Sequence, residues 1–430
     1  MKIKIPGQSF DYVTENSREC GRDTAFVLTA QNEKYFDDAR KHHPHSIIKA
    51  EDIAETFGVN RIKIIGITGT NGKTTTASAI YSFLLDLGYK VAMQGTRGFF
   101  MNDEVVEGKS LTTPSVLNIY RHIYQAVAAG CEYFIMEVSS HAIVQERIQG
   151  IPFALKILTN ITQDHLDYHE TLEEYTRVKN SFFRDEGMKL INKDEPRADF
   201  NFKNAYTYGI ENPATYKVMA YSLNDGTSGI LQHFGKMEPF KASLHGFFNL
   251  YNLCSAIGAV HLLTGKSIEE ICDVIDNFAG VSGRMERVSE DPVVIVDFAH
   301  TPDGMQQVLN ALKEKDILVV FGAGGDRDQS KRPLMGKVAA GLAKKIYVTS
   351  DNPRYEDPDA IINDILKGID DQENVYVNPN RKEAIAKALE DQEGDEIVLI
   401  LGKGDEAYQI IYDEKLPFDD REVVRELLAG

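Results

Sequence analysis

GITGTNGKTTT, residues 66–76, sits between the apolar run IKII and the stretch ASAIYSFLLDLG, which reads as an amphipathic helix. Glycines, a lysine and a run of hydroxyls at a strand-to-helix junction suggest a phosphate cradle. A strict phosphate loop needs its first glycine at position 67, where Ile67 stands; Gly66, Gly69 and Gly72 precede Lys73 and Thr74 instead. The physical requirements are still met. Small residues let backbone N–H groups approach phosphate oxygens, the helix adds its positive end, Lys73 neutralises the terminal phosphate, and Thr74 can ligate Mg²⁺. The alternative is a glycine-rich turn with a solvated lysine, which the flanking strand and helix disfavour.

Around this loop, 430 residues are too many for one ordinary core, so two or three domains are expected. The net charge of −18 argues against a general basic face for nucleic acid. Anionic ligands must then be met by local cations and backbone dipoles. No apolar run approaches membrane-spanning length, and MKIKIPGQSF carries no apolar signal segment, so no membrane association and a cytoplasmic location are expected. Cys20, Cys131, Cys254 and Cys272 are far apart with no metal-binding spacing, and read as free thiols.

Strand-like runs alternate with helical patterns from residue 62 to 285: KIIGIT, KVAMQGT, EYFIMEVSS and ALKILTNI, with helices at 74–87 and 115–129. This predicts a parallel, doubly wound α/β sheet, becoming antiparallel at an insertion or edge around 205–245. Residues 1–61 form a short mixed segment. A third block, 286–430, offers strands at VVIVDFA, DILVVFGA, KIYVTS, NVYV and EIVLILG. Each ends in a loop rich in Gly, Asp, Asn or Arg, where ligands of such sheets bind.

A nucleotide loop alone does not separate a switch, a kinase and a ligase. In EVSSHAIVQER (137–147), Glu137 ends an apolar strand, where an acid is poorly solvated unless it meets a cation or donor. TNITQDHLDYHETLEEYTRVK (159–179) brings His165, Asp167, His169 and then Lys179. Singly, these residues read as structural or solvated; with Glu137 and a phosphate loop they suggest a reaction centre.

TGTNGKTTT, EVSSH, TNITQDHLDYH with its lysine beyond, GFFNLYN, GRME, DFAHTPD, GGDRDQSKRP, DNPR and LGKGDE occur in this order. Together they resemble the Mur ligases of peptidoglycan precursor synthesis, over residues 61 to 430. The resemblance implies three domains: a short N-terminal UDP-binding domain, a central P-loop-type ATPase and a C-terminal Rossmann-like domain. It also implies ATP, Mg²⁺ and a monomer, with ATP phosphorylating a carboxylate that an amine then captures. Gly69, Thr70, Asn71, Gly72, Lys73, Thr74 and Thr75 would hold the ATP phosphates. Thr74, Glu137 and His165 would surround the metal, and Lys179 matches the position carrying a CO₂-derived carbamate, which converts a repelling cation into an oxygen ligand. Asn249 and Asn252 would flank the base; Arg284 and Asp297 would contact the nucleotide from the hinge.

By the same resemblance the acceptor is UDP-MurNAc-L-Ala-D-Glu, along Thr112, Thr113, Ser115, Ser139, Gln145 and Arg147, with Ser17 on the uridine side. Leu111 stands where the family commonly has Asn. DNPR resembles the motif of members that add meso-diaminopimelate: Asp351, Asn352, Pro353 and Arg354. Arg354 offers a planar fork for the distal carboxylate that L-lysine lacks. Arg327 would take the other carboxylate, and Glu406 with the Gly402 carbonyl the distal ammonium. Asp405 replaces the family's usual histidine and adds negative charge beside that amine site. Three rivals stand beside this reading: the same reaction with L-lysine, a folate polyglutamyl ligase, and an ATP-binding switch or scaffold that makes no amide bond.

Overall fold

Ile64 and Ile65 point to opposite faces of the strand Lys63–Thr68, as the two-residue repeat of a strand requires, and each enters a separate core. A strand buried on both faces belongs in the middle of a parallel sheet. The computed structural model, which describes residues 2–5, 8–109, 111–224 and 226–429, places it there. Phe153–Leu158 and Tyr133–Glu137 flank it in parallel, with Thr68 opposite Leu158 and Ile67 opposite Glu137. This register puts Glu137 beside the start of the glycine-rich loop.

Among the described residues the sheet has eleven strands. Val91–Gly95, Lys189–Asn192 and Ala205–Gly209 extend its parallel part. Gly98–Met101 and Glu104–Glu107 close one side as an antiparallel meander. At the other side the predicted antiparallel edge is Thr227–His233 between Tyr216–Ser222 and Lys236–Ala242, whereas Ala205–Gly209 remains parallel.

Helices Lys73–Asp86 and Phe247–Thr264 cover one face of this sheet, contributing Ile80, Phe83, Leu253 and Ile257 to the core beside Ile65 and Ile67. Lys73–Asp86 is buried on nearly every side rather than amphipathic, because it packs both on the sheet and along the second helix beside it. Phe247–Thr264 is long and apolar enough to cross a membrane by length and composition, contrary to the sequence expectation; Asn249, Asn252, Ser255 and His261 interrupt its apolar string. It is mostly buried in this core, where each Leu, Ile or Val contributes about 1.5–3 kcal/mol.

Val116–Ala128 covers the other face. The N-terminal strands Lys2–Lys4, Tyr12–Thr14, Thr24–Leu28 and Ser46–Lys49 form a four-stranded sheet, antiparallel in its first pair and parallel after it. Its Val13, Ala25 and Val27 share one continuous core with Ile64, Phe134 and Tyr120 of the central body.

The C-terminal sheet has six strands: Glu286–Glu290 antiparallel at the edge, then Val293–Asp297, Ile397–Leu401, Ile317–Phe321, Lys345–Val348 and Val375–Val377, all parallel. Behind its ligand end, Arg381 is fully buried and pairs with Asp420 through two bonds of 2.7 and 2.8 Å. Its remaining N–H groups hold the carbonyls of Leu401 and Ser350 at 2.9 and 3.3 Å, fixing the chain immediately before Gly402 and Asp351.

Candidate active site

The glycine-rich loop follows Lys63–Thr68 and ends where helix Lys73–Asp86 begins. Gly72 has φ +85°, and a Cβ there would lie 2.5 Å from Asn252 Oδ1. At Gly69 a Cβ would lie 1.8 Å from Thr159 Oγ1. Both positions therefore admit only glycine. Lys73 Nζ donates to the carbonyls of Gly69 and Thr70, each at 2.8 Å. Burial lowers its pKa, opposed by Glu137 and Asp164 and aided by Arg284. The hinge arginine therefore reaches the same electrostatic neighbourhood as the loop lysine.

Glu137 is buried at the end of its strand and satisfied by hydroxyls and a backbone amide. Thr74 Oγ1 donates to it at 3.0 Å, Thr96 N–H at 2.9 Å and Thr96 Oγ1 at 3.3 Å. Thr96 Oγ1 also meets Thr112 Oγ1 at 3.0 Å, and Thr113 Oγ1 donates to the Glu137 carbonyl at 2.9 Å. A hydroxyl and a carboxylate at a phosphate loop form a hard-oxygen donor set that suits Mg²⁺. Among the described residues no three His, Cys, Asp or Glu side chains converge as metal ligands, so a Mg²⁺ here would need Thr74, phosphate and water as further donors.

Lys179, 1% exposed, donates to the Gly69 carbonyl at 2.9 Å, the same oxygen that Lys73 uses. Its ammonium lies 4.7 Å from the Tyr175 ring centre, and Tyr175 Oη bonds Thr70 Oγ1 at 3.1 Å. Burial holds the amine well below the ordinary lysine pKa; Lys73 adds to this and Asp164 opposes it. His165 has φ +54°, a sparsely populated conformation for a non-glycine residue. Burial also lowers its pKa, keeping the ring neutral, with Asp164 opposing at 3.4 Å.

His165 lines a cleft of about 140 Å³ between the central and C-terminal sheets, with Asp164, Phe298, His300, Lys331 and the loops carrying Arg327, Asp351, Asn352, Arg354, Gly402 and Glu406. Arg354 has φ +54° and is pinned by its own backbone: N–H to the Ile410 carbonyl at 3.0 Å, C=O accepting from Tyr412 N–H at 2.8 Å. Arg354 Nη1 donates to the Gly325 carbonyl at 2.6 Å. Asn352 Nδ2 and the fully buried Lys403 Nζ both donate to Glu406 Oε2, at 3.0 and 3.2 Å. A larger cavity of about 580 Å³ lies along strands 220–241 beside Cys272 and Asp276, away from all of these residues. The smaller cleft is the candidate site because the cations, the neutral histidine and the strained backbone gather there.

Residues 67–260 match the family profile of the Mur ligase middle domain, and residues 283–404 that of the Mur ligase, glutamate ligase domain. The UDP-N-acetylmuramoyl-L-alanyl-D-glutamate–2,6-diaminopimelate ligase of Wolinella succinogenes is 54% identical over 100% of this chain and 99% of its own. The chain belongs to the Mur ligase family. A solved structure of a UDP-N-acetylmuramoyl-L-alanyl-D-glutamate–2,6-diaminopimelate ligase superposes with TM-score 0.69 at 28% identity, over 99% of this chain and 97% of that one. The folylpolyglutamate synthase of Mycobacterium tuberculosis shares the fold, with TM-score 0.69 at 17% identity over 82% of this chain and 91% of its own.

In this Mur ligase, Lys73, Thr74, Glu137 and Lys179 gather about the glycine-rich loop, while His165 joins the cleft with Arg327 and Arg354. Thr70 and Asn71 bond across to residues 160–162, and Thr75 is buried in the helix's first turn. Pro353 presses its carbonyl against Gly325 rather than lining the cleft. Asn249 and Asn252 are buried and bond to each other at 2.9 Å, with Asn252 against Gly72, so the pair braces the phosphate loop. Arg284 lies over the Phe298 ring at 4.2 Å, and Asp297 accepts from Met285 and Ala299 N–H. Ser139 caps its helix, Arg147 holds the Thr113 carbonyl and Gln145, and Gln145 donates to Tyr168. Ser17 donates its hydroxyl to Asp38 at 2.6 Å.

The carboxylate of Asp405 turns to Arg97 and Lys109, in the loops next to the edge strands Gly98–Met101 and Glu104–Glu107 of the central sheet. Sequence reading gave no role to Thr96, Lys403 or Asp303. Asp303 accepts from Asn71 Nδ2 at 2.8 Å and Thr162 Oγ1 at 3.3 Å, tying the first C-terminal helix to the phosphate loop. Asp303 and Lys403 lie within DFAHTPD and LGKGDE, whose presence was the available signal.

Proposed function

We propose that this Mur ligase uses ATP to join meso-diaminopimelate to the D-glutamate carboxylate of UDP-MurNAc-L-Ala-D-Glu, in cytoplasmic peptidoglycan precursor synthesis that serves cell-wall biogenesis, cell shape and division. Residues 1–61 serve the uridine side, 62–285 the ATP and 286–430 the amino acid, in a monomer. The observation that carries this reading is the cleft that joins His165 to Arg327, Arg354 and Glu406.

Lys73, Arg284 and the amino end of helix Lys73–Asp86 neutralise and orient the triphosphate. Thr74 and Glu137 would hold Mg²⁺, and His165 and a carbamylated Lys179 would complete its surroundings. Mg²⁺ supplies charge neutralisation at the γ-phosphate. The low pKa of Lys179 leaves its nitrogen lone pair available to bond the carbon of CO₂, with loss of one proton. Thr112, Thr113, Ser139 and Arg147 orient the acceptor, whose carboxylate oxygen attacks the γ-phosphorus as the bond to ADP breaks. The diaminopimelate amine then attacks the acyl carbon; the bond to phosphate breaks and the amine loses a proton. Holding acid, phosphate and amine in line supplies most of the acceleration. Arg354 selects the substrate, because leaving its fork buried and unpaired penalises L-lysine.

Phosphate release measured with ATP, UDP-MurNAc-L-Ala-D-Glu and either diaminopimelate or L-lysine tests the reading. Release should require acceptor and amine together and favour diaminopimelate. Comparable rates with L-lysine overturn the specificity, and release without an amine restores the switch.

A further inference from the structure

We propose that Asp405 is an interdomain positioning residue: its carboxylate, held by Lys109 and Arg97, latches the amino-acid loop of the C-terminal sheet onto the acceptor side of the central sheet. Its catalytic consequence rests on the ligase reading above; the contact itself does not. Asp405 Oδ2 lies 3.0 Å from Lys109 Nζ and 3.7 Å from Arg97 Nε. Lys109 Nζ also donates to the backbone carbonyl of Asp405. The carboxylate is 14% exposed, against 29% for Arg97 and 33% for Lys109, so the acid is the enclosed member and the cations its cover. Among the described residues Arg97 Nε is buried without a hydrogen-bond partner, and the Asp405 carboxylate stands as its counter-charge at 3.7 Å.

Each end of this contact continues into the site. Arg97 follows Thr96, whose amide and hydroxyl hold Glu137 and whose hydroxyl meets Thr112. Asp405 precedes Glu406, which Asn352 and Lys403 hold in the cleft. The hinge presses on the same loop: a Cβ at Gly283 would lie 2.0 Å from Asp405 N. Moving the C-terminal sheet away must therefore break the ion pairs and move Glu406 relative to Thr112. Such partly exposed pairs weaken as salt screens them.

The test compares wild type, Asp405→Ala, the isosteric Asp405→Asn, Lys109→Ala and the Asp405→Ala/Lys109→Ala double variant in the phosphate-release assay. Loss of either partner should raise the KM for acceptor about threefold to fivefold while kcat changes less than twofold. The double variant should be no worse than the worse single, and added KCl should raise KM in wild type only. Additive effects, or unchanged KM in Asp405→Asn, overturn the latch. Small-angle scattering needs no turnover: KCl should increase the radius of gyration of wild type, and Asp405→Asn should have the larger value already at low salt. Equal scattering curves overturn the latch even if catalysis fails; a wild type inert with acceptor and diaminopimelate sinks the ligase reading, and scattering then decides the latch alone.

Discussion

Replacing Arg354 by lysine keeps a cation in the cleft but removes the planar fork. The backbone at this position is fixed by the bonds of residue 354 to Ile410 and Tyr412, which any side chain retains. A lysine ammonium can also satisfy the Gly325 carbonyl, now held by Nη1 at 2.6 Å. What it cannot do is hold that carbonyl and also present two parallel N–H groups to a carboxylate. One charge-assisted bond is lost, worth about 1.5–3 kcal/mol. At about 1.4 kcal/mol per decade, kcat/KM for meso-diaminopimelate should fall about 10-fold to 150-fold. L-Lysine, with no distal carboxylate, should change by less than about threefold on the same scale. The assay is initial-rate phosphate release with each amine at saturating acceptor and ATP. Equal proportional losses for both amines would refute the reasoning, because Arg354 would then serve the loop and not the carboxylate.

Lys179 should carry a carbamate: ¹³C-bicarbonate should give a protein carbamate carbon signal that Lys179→Ala lacks, and that variant should lose ligation that excess bicarbonate does not restore. Asp194 accepts from the N–H groups of Ile210, Glu211 and Asn212 at 2.6–2.9 Å; burial raises its pKa, but these donors outweigh that and hold it below the ordinary carboxylate range. A depressed carboxylate stabilises the fold above its unfolded pKa and loses that contribution as pH falls through the folded one. Asp194→Ala should therefore cost roughly 2–3 kcal/mol at pH 7, read from urea unfolding, with the difference from wild type shrinking toward pH 3.

The parallel sheet and the loop after its middle strand were legible because both have local causes. Buried strands read as apolar runs, and glycines mark where backbone must approach a ligand. Helix Phe247–Thr264 was obscured because its asparagines face the phosphate loop, so site residues break the apolar pattern that would reveal it. The partnerships between sheets were illegible for another reason. Asn71 and Asp303 are 232 residues apart, and Lys109 and Asp405 296; no periodicity or spacing relates such positions. The role of Asp405 stayed open for this reason, since its place beside Glu406 in the sequence says nothing about which way its side chain turns.

The physical route from the phosphate loop to the amino-acid loop explains where such a fold can flex. Thr74 joins Glu137 at 3.0 Å, Glu137 joins Thr96 at 2.9 Å, and Thr96 joins Thr112 at 3.0 Å. These links use threonine hydroxyls, a backbone amide and one buried carboxylate, so they are largely screened from water and hold positions tightly. Glu406, Asn352 and Lys403 form a similarly enclosed group on the other side. Between them the long, partly exposed side chains of Lys109 and Arg97 reach Asp405, and ordering a long cation costs up to about 2 kcal/mol of side-chain freedom. The compliant link thus falls where two sheets meet, and the rigid links fall where atoms must be aligned to react. A ligase that admits a nucleotide-sugar peptide and an amino acid and then aligns them gains from compliance at that joint, while the Asn71–Asp303 bond ties the same two bodies at the glycine-rich loop.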